Sequence, residues 1–164
     1  MFAREMARSI PTVLGIDTDQ GSIDEARAQA IAPNPDYIVG DFLNYPFESE
    51  SFDFITSIAT LHHMDAPAAL ARMRRLLRPG GTIAILGLAG DRPILGTPFD
   101  VAGWAAHRLY LRTRTYWEHP SPTVMTAPSY AEMRRIAAVS LPGSQFRRHL
   151  LWRYSVLWTK GVDP

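Results

Sequence analysis

Two aspartates stand where short β-prone runs end: Asp17 after Thr12-Val13-Leu14-Gly15-Ile16, and Asp41 after Tyr37-Ile38-Val39-Gly40. A carboxylate at the carboxyl end of a strand offers a pair of acceptor oxygens to ligand hydroxyls in the crevice of an open sheet. Each has a plainer alternative, Asp17 as a helix N-cap or loop acid and Asp41 as a turn residue after Gly40. A third run, Phe52 to Ala59, is followed by Thr60 and then by Leu61-His62-His63. Two imidazoles invite a metal or a general base. The side chains of adjacent residues diverge, however, and no third ligand follows at a suitable spacing, which argues against a metal. His62 is the candidate to face a substrate, set against the plainer reading of a packed or exposed histidine.

These residues need a scaffold, and the stretch Pro46 to Met64 organises it. Its middle mixes aromatic and β-branched residues with small polar ones, between the acidic loop Glu48 to Ser51 and the helix starter Asp65. That pattern predicts a strand buried in the middle of a sheet. A helix after Asp65, with Leu70, Met73, Leu76 and Leu77 as its apolar stripe, ends in Arg78-Pro79-Gly80-Gly81, and Thr82 to Leu88 is a nearly continuous apolar strand. Strand, helix, glycine turn and strand make a βαβ unit.

Upstream, Met1 to Ile10 is expected to be helical, with Phe2, Met6 and Ile10 on one face and Pro11 as its stop. A second helix opens at Gly21-Ser22-Ile23-Asp24-Glu25, where Ser22 and Glu25 have capping-box spacing. Downstream, residues 89–128 carry Gly90, Pro93, Gly96 and Pro98, a candidate helix from Val101 to about Arg114, and the aromatic residues Trp104, Tyr110, Tyr116 and Trp117. Such a segment after a strand edge is expected to cap a site. Ser129 and Glu132 form another capping box, for a helix to about Ser140. The last runs, Gln145 to His149 and Leu151 to Thr159, are too close for a crossover and must pair as an antiparallel hairpin, with Trp152, Tyr154 and Trp158 alternating along it.

A chain of 164 residues fits one domain and buries about 70% of the surface its unfolded form exposes. The absence of cysteine excludes disulfides, thiolate metal sites and cysteine nucleophiles, and is compatible with a reducing cytoplasm, the expected location. No apolar run reaches the roughly 20 residues that span a bilayer. Arg4, Glu5 and Arg8 stand where a signal peptide would be apolar. The net charge of +1 hides an acidic first part and a basic second part. Nucleic-acid binding is not expected from it, because a solvated basic face explains the excess.

The ordered set Gly15-Ile16-Asp17, Gly40-Asp41, Pro46-Phe47, Ser51-Phe52-Asp53, Ser57, Leu61-His62-His63 and Leu77-Arg78-Pro79-Gly80-Gly81 resembles the class I S-adenosylmethionine-dependent methyltransferases. The nearest likeness is to their small-molecule branch, the methyltransferase type 11-like proteins. The resemblance implies an α/β, Rossmann-like fold, a mostly parallel sheet closed by a C-terminal antiparallel hairpin. It implies S-adenosylmethionine as cofactor, with Asp17 at the ribose, Thr18 among the cofactor-binding residues, Asp41 at the adenine amine, Phe42 over the base, and the backbone around Ala59 passing along the cofactor. The acceptor would be a small molecule, and the aromatic residues of the expected cap would suit an apolar one.

The family begins with a strand and a GxGxG loop ahead of the helix placed at Met1 to Ile10, and residues 1–164 hold neither. In the family that strand lies between the strands expected at Thr12 to Asp17 and at Asp53 to Ala59. These two are expected either to close on each other or to leave a gap with exposed edges, open to oligomerisation. Cofactor binding by these residues alone is expected to be impaired. Two other readings compete: a non-catalytic interaction protein of the same fold, and a nicotinamide-dependent oxidoreductase. Asp17 serves both cofactors; the hairpin and the Leu61-His62-His63 edge speak against the second.

Overall fold

The computed structural model describes residues 2–29, 35–90, 108 and 127–162. They form two compact units, Met1–Phe47 and Glu48–Pro164.

The first unit runs α1 (Phe2–Met6), β1 (Leu14–Asp17), α2 (Gln20–Ala28) and β2 (Asp36–Val39). The first helix is shorter than its apolar spacing predicted: it ends at Met6, where the amides of Ser9 and Ile10 both donate to the Met6 carbonyl. None of its residues is buried, so no packing extends a helix this short. β1 and β2 pair in parallel from Leu14↔Asp36 to Asp17↔Val39. Gly15 is required there, since the Tyr37 ring occupies the place of a side chain. The second helix is capped not by Ser22 but by Asp19, whose carboxylate accepts from the Ser22 amide at 2.7 Å. A carboxylate at a helix N-terminus also gains from the helix dipole. Hydrogen bonding to Ser22 accordingly lowers the Asp19 pKa. At the other end Arg27 donates to the Tyr37 carbonyl at 2.8 Å and ties α2 to β2.

The second unit is a four-stranded sheet in the order β3-β4-β6-β5. Its strands are β3 (Phe52–Ile58), β4 (Leu77–Leu88), β5 (Gln145–His149) and β6 (Arg153–Thr159), with α3 (Ala66–Leu76) and α4 (Tyr130–Ser140) packed together beside them. β3 and β4 are parallel; β6 is antiparallel to β4 and to β5, so the C-terminal hairpin forms as expected. The βαβ unit also forms. Asp65 caps α3 by accepting from the Ala68 amide at 2.8 Å, and Leu70, Met73, Leu76 and Leu77 are all buried. Ser129 caps α4 through the Glu132 amide at 3.1 Å.

Two expectations for this unit need correction. β3, predicted in the middle of a sheet, is the edge strand of this one: β1 belongs to a separate two-stranded sheet and does not pair with it. Phe54 and Ile58 are accordingly 38% exposed, and the polar residues Asp53 and Thr56 that interrupt the run suit a half-solvated strand. Secondly, β4 begins at Leu77, at the end of the expected helix, and takes in the expected Gly80-Gly81 turn, because the Gly80 and Gly81 main chain exchanges hydrogen bonds with Lys160 at 3.0 and 2.9 Å. Gly80 has φ +80°, which its lack of a side chain permits.

The core lies between the sheet and its two helices: Leu70, Leu76, Leu77, Ile83, Met133, Leu141, Tyr154 and Val156 are fully buried. Each such aliphatic side chain contributes about 1.5–3 kcal/mol by burial. Of the expected cap, only Ala89, Gly90, Arg108, Ala127 and Pro128 are among the described residues; Trp104, Tyr110, Tyr116 and Trp117 lie outside them.

Candidate active site

Parallel pairing in the first unit puts the carboxyl ends of β1 and β2 side by side. The Asp17 carbonyl accepts from the Gly40 amide at 2.8 Å, so the loops carrying Asp17 and Thr18, and Asp41 and Phe42, leave the sheet together. Asp17 and Thr18 are exposed, and Phe42 is half-buried. One oxygen of Asp17, Oδ1, accepts from the Asp19 amide at 2.9 Å, which orients the carboxylate. Oδ2 makes no hydrogen bond with the described residues. Asp41 is more deeply built into its turn. Its Oδ1 accepts from the Leu43 amide at 2.9 Å, its Oδ2 from the Asn44 side-chain amide, and its carbonyl from the Tyr45 amide at 2.8 Å. The turn role of Asp41 is therefore real, and the second lone pair on each oxygen stays available to an external donor.

The second unit presents the carboxyl end of β3. Ala59 has φ +52°, the left-handed region that a residue with a side chain seldom adopts, and its amide donates to the Leu86 carbonyl at 2.7 Å. Thr60 folds back, its hydroxyl donating to the Ile58 carbonyl at 2.9 Å. The chain then makes a single 3-10 turn, Leu61–His63. Leu61 is buried as its anchor. His62 is half-buried and His63 exposed, their rings 3.9 Å apart. Burial, and then the charge of His63, lower the His62 pKa, so the ring is neutral at neutral pH. Its Nδ1 is buried without a hydrogen-bond partner among the described residues. Among the described residues no group of three His, Asp or Glu side chains is placed to hold a metal.

The structure therefore gathers Asp17, Thr18, Asp41 and Phe42 at one strand edge of the first unit, and Ala59 with His62 at one strand edge of the second. Near the second edge lies a residue that packs within the sheet, as the sequence pattern predicts. Tyr154, fully buried on β6, lies across Gly87 of β4, and its hydroxyl has no hydrogen-bond partner among the described residues. Gly87 follows Leu86, which pairs with Ile58, so this hydroxyl belongs to the same end of the sheet as Ala59. A glycine within an apolar strand was the available signal.

The donor and acceptor chemistry fits an adenosine-bearing cofactor. A carboxylate with a free oxygen suits ribose hydroxyls, and a neighbouring carboxylate beside an aromatic ring suits an aminated base. Left-handed backbone at Ala59 is the sort of strained position found where main chain meets ligand.

Comparison with known proteins identifies the family. Residues 1–85 match the family model described as a methyltransferase domain. Two uncharacterised methyltransferases, from Mycobacterium bovis and Mycobacterium tuberculosis, are each 29% identical over 164 residues, spanning 99% of this chain and 83% of theirs. A phthiotriol/phenolphthiotriol dimycocerosates methyltransferase of Mycobacterium ulcerans is 31% identical over 99 residues, 60% of this chain and 36% of its own. Among solved structures, a methyltransferase of Haloferax volcanii, seen in complex with an activator protein, superposes with a TM-score of 0.68 at 17% identity, covering 98% of this chain and 77% of its own. An S-adenosylmethionine-dependent methyltransferase of Methanosarcina mazei gives 0.61 at 13% identity, over 93% and 83%. The chain belongs to the class I S-adenosylmethionine-dependent methyltransferase family, with the α/β Rossmann-like fold of mixed parallel and antiparallel strands that its residues implied.

Proposed function

We propose that this chain supports methyl transfer from S-adenosylmethionine to a small, apolar acceptor. The observation that carries the reading is the adjoining carboxyl ends of β1 and β2, with Asp17 presenting a free carboxylate oxygen beside the Asp41 and Phe42 loop. In this reading Asp17 holds the ribose with Thr18 beside it at the cofactor, and Asp41 and Phe42 take the adenine. His62 faces the acceptor as a neutral hydrogen-bonding group. The cofactor, when bound, supplies a methyl group on a sulfonium with a good leaving group. The protein's task is then mainly to position the acceptor and exclude water.

The apolar acceptor is supported by the aromatic content of residues 89–128 and by the likeness to a phthiotriol/phenolphthiotriol dimycocerosates methyltransferase. We place the protein in the cytoplasm, with which the absence of cysteine is compatible. The whole chain acts as one methyltransferase-like domain, with residues 89–128 as its cap. Residues 1–164 carry no GxGxG loop for the methionine end of the cofactor, so binding by these residues alone is weak.

Calorimetric titration with S-adenosylhomocysteine, repeated on Asp17→Ala, tests the assignment. Binding that falls at least about tenfold on substitution, as expected when a charged hydrogen-bonding partner is lost, supports it. Equal affinity of both chains would move the cofactor site away from Asp17.

A further inference from the structure

The hairpin that closes the sheet carries a conformational cost which the catalytic reading leaves unexplained. Leu151 and Trp152 join β5 to β6 with φ of +62° and +54°. Two successive left-handed residues are what tight hairpin turns usually assign to Asn-Gly or Asp-Gly, because a larger side chain there costs about 1–2 kcal/mol per residue. Here the turn is Leu150-Leu151-Trp152. The Trp152 carbonyl accepts from the Ala89 amide at 2.8 Å, which pins the base of the turn. That bond does not account for Leu150, which is 43% exposed.

The surroundings of the tip are basic. Register places Arg147 opposite Ser155 and His149 opposite Arg153, and His149 shares a 2.7 Å hydrogen bond with Ser155 on that face. Arg148 alternates to the other face and lies over the Tyr130 ring of α4 at 4.0 Å. Leu157, 45% exposed, continues the face of Arg147 and Arg153. Within five residues of Leu150 on either side stand Arg147, Arg148 and Arg153 and no carboxylate.

An exposed leucine at the tip, with Arg147, Arg153 and the exposed Leu157 along one face of the strands below it, complements an anionic lipid surface. The apolar side chains enter the headgroup boundary while the guanidinium groups meet lipid phosphates. We propose that the β5–β6 hairpin is a peripheral docking element for anionic bilayers. A nucleic acid would engage the same arginines but leave Leu150 and Leu157 in water. The contact is superficial, as no helix among the described residues is long and apolar enough to cross a membrane. β5 runs parallel to β3 and β4, so the tip stands at the carboxyl end of the sheet, where Ala59 and His62 lie. Docking would bring that edge to the bilayer, the place where an apolar acceptor is concentrated.

Sedimentation of the full chain with phosphatidylcholine vesicles, with and without phosphatidylglycerol, tests the proposal. The chain is expected to sediment with the anionic vesicles alone and to be released as salt rises. R147Q/R153Q lowers partitioning about 25-fold, each arginine near the surface contributing about fivefold. L150Q lowers it about fivefold through lost apolar insertion. R75Q, an exposed change on α3 at the opposite end of the sheet, leaves it unchanged. All these side chains are exposed, and circular dichroism checks that each variant is folded. No sedimentation with anionic vesicles, an R75Q loss equal to that of R147Q/R153Q, or an L150Q variant that binds as wild type overturns the proposal. Binding of a single-stranded RNA oligonucleotide in place of vesicles overturns it as well.

Discussion

Tyr154 lies across Gly87. The two residues face each other in the β4–β6 ladder, and a Cβ at position 87 would collide with the far end of the tyrosine ring and its hydroxyl. The glycine is there because another side chain needs its space. Gly87→Ala is therefore expected to destabilise the fold by about 1–3 kcal/mol, the usual penalty of overpacking a core. Chemical denaturation reads this as a lower midpoint. A midpoint equal to wild type would mean that the ring can move aside.

The same tyrosine predicts an alkaline loss of stability. Burial pushes its hydroxyl up to about 12, from an ordinary value of 10.0. Between those two values the unfolded chain has released the proton while the folded one keeps it, so the unfolded state binds fewer protons. Stability is full below pH 10 and falls as pH rises through 12, by about 2–3 kcal/mol in all. Tyr154→Phe should be at least as stable as wild type at neutral pH, because the hydroxyl has no partner to lose. It should also lack this alkaline loss. The same loss of stability between pH 10 and 12 in both proteins would assign it to another group.

How much of this is visible in the residues follows from the range of the interactions involved. Asp65 and the stripe Leu70, Met73, Leu76 and Leu77 define α3 locally, and β5 and β6 are too close in sequence to be anything but a hairpin. The strand-end positions of Asp17 and Asp41 follow from alternation and turn residues alone. The N-cap of α2 is not legible in the same way, because Asp19 and Ser22 are both good caps and only the observed backbone chooses between them. The edge position of β3 and the reach of Tyr154 across Gly87 depend on which strands become neighbours, a long-range choice that a local pattern does not encode.

Ala59 tests whether strain is stored at the β3 edge. A residue with a Cβ at φ +52° carries about 1 kcal/mol of steric cost that glycine would not. Ala59→Gly relieves this cost while adding backbone entropy to the unfolded state, worth about 0.4–1 kcal/mol. The net change is therefore expected to be small, from neutral to about 0.5 kcal/mol more stable. A clear destabilisation, above about 1 kcal/mol, would show that the Ala59 methyl packs usefully and that the backbone is not strained.

His62 makes an acid-side prediction. Burial, followed by the charge of His63, lowers its pKa from 6.5. In the unfolded chain the ring takes up a proton near the ordinary value; in the folded chain it does so only at lower pH. The unfolded state thus binds more protons as pH drops below 6.5, and stability decreases with falling pH until the folded ring also protonates. His62→Gln keeps a polar side chain of similar reach without the titration. It should lose less stability than wild type between pH 7 and pH 5. NMR titration of the imidazole gives the pKa directly, and a value above 6.5 would overturn the burial argument. A neutral His62 with an unpartnered Nδ1 is the form that can accept from or donate to an acceptor molecule. If it does so, methyltransferase activity should fall together with the neutral imidazole fraction, and His62→Gln should raise the acceptor KM more than it lowers kcat.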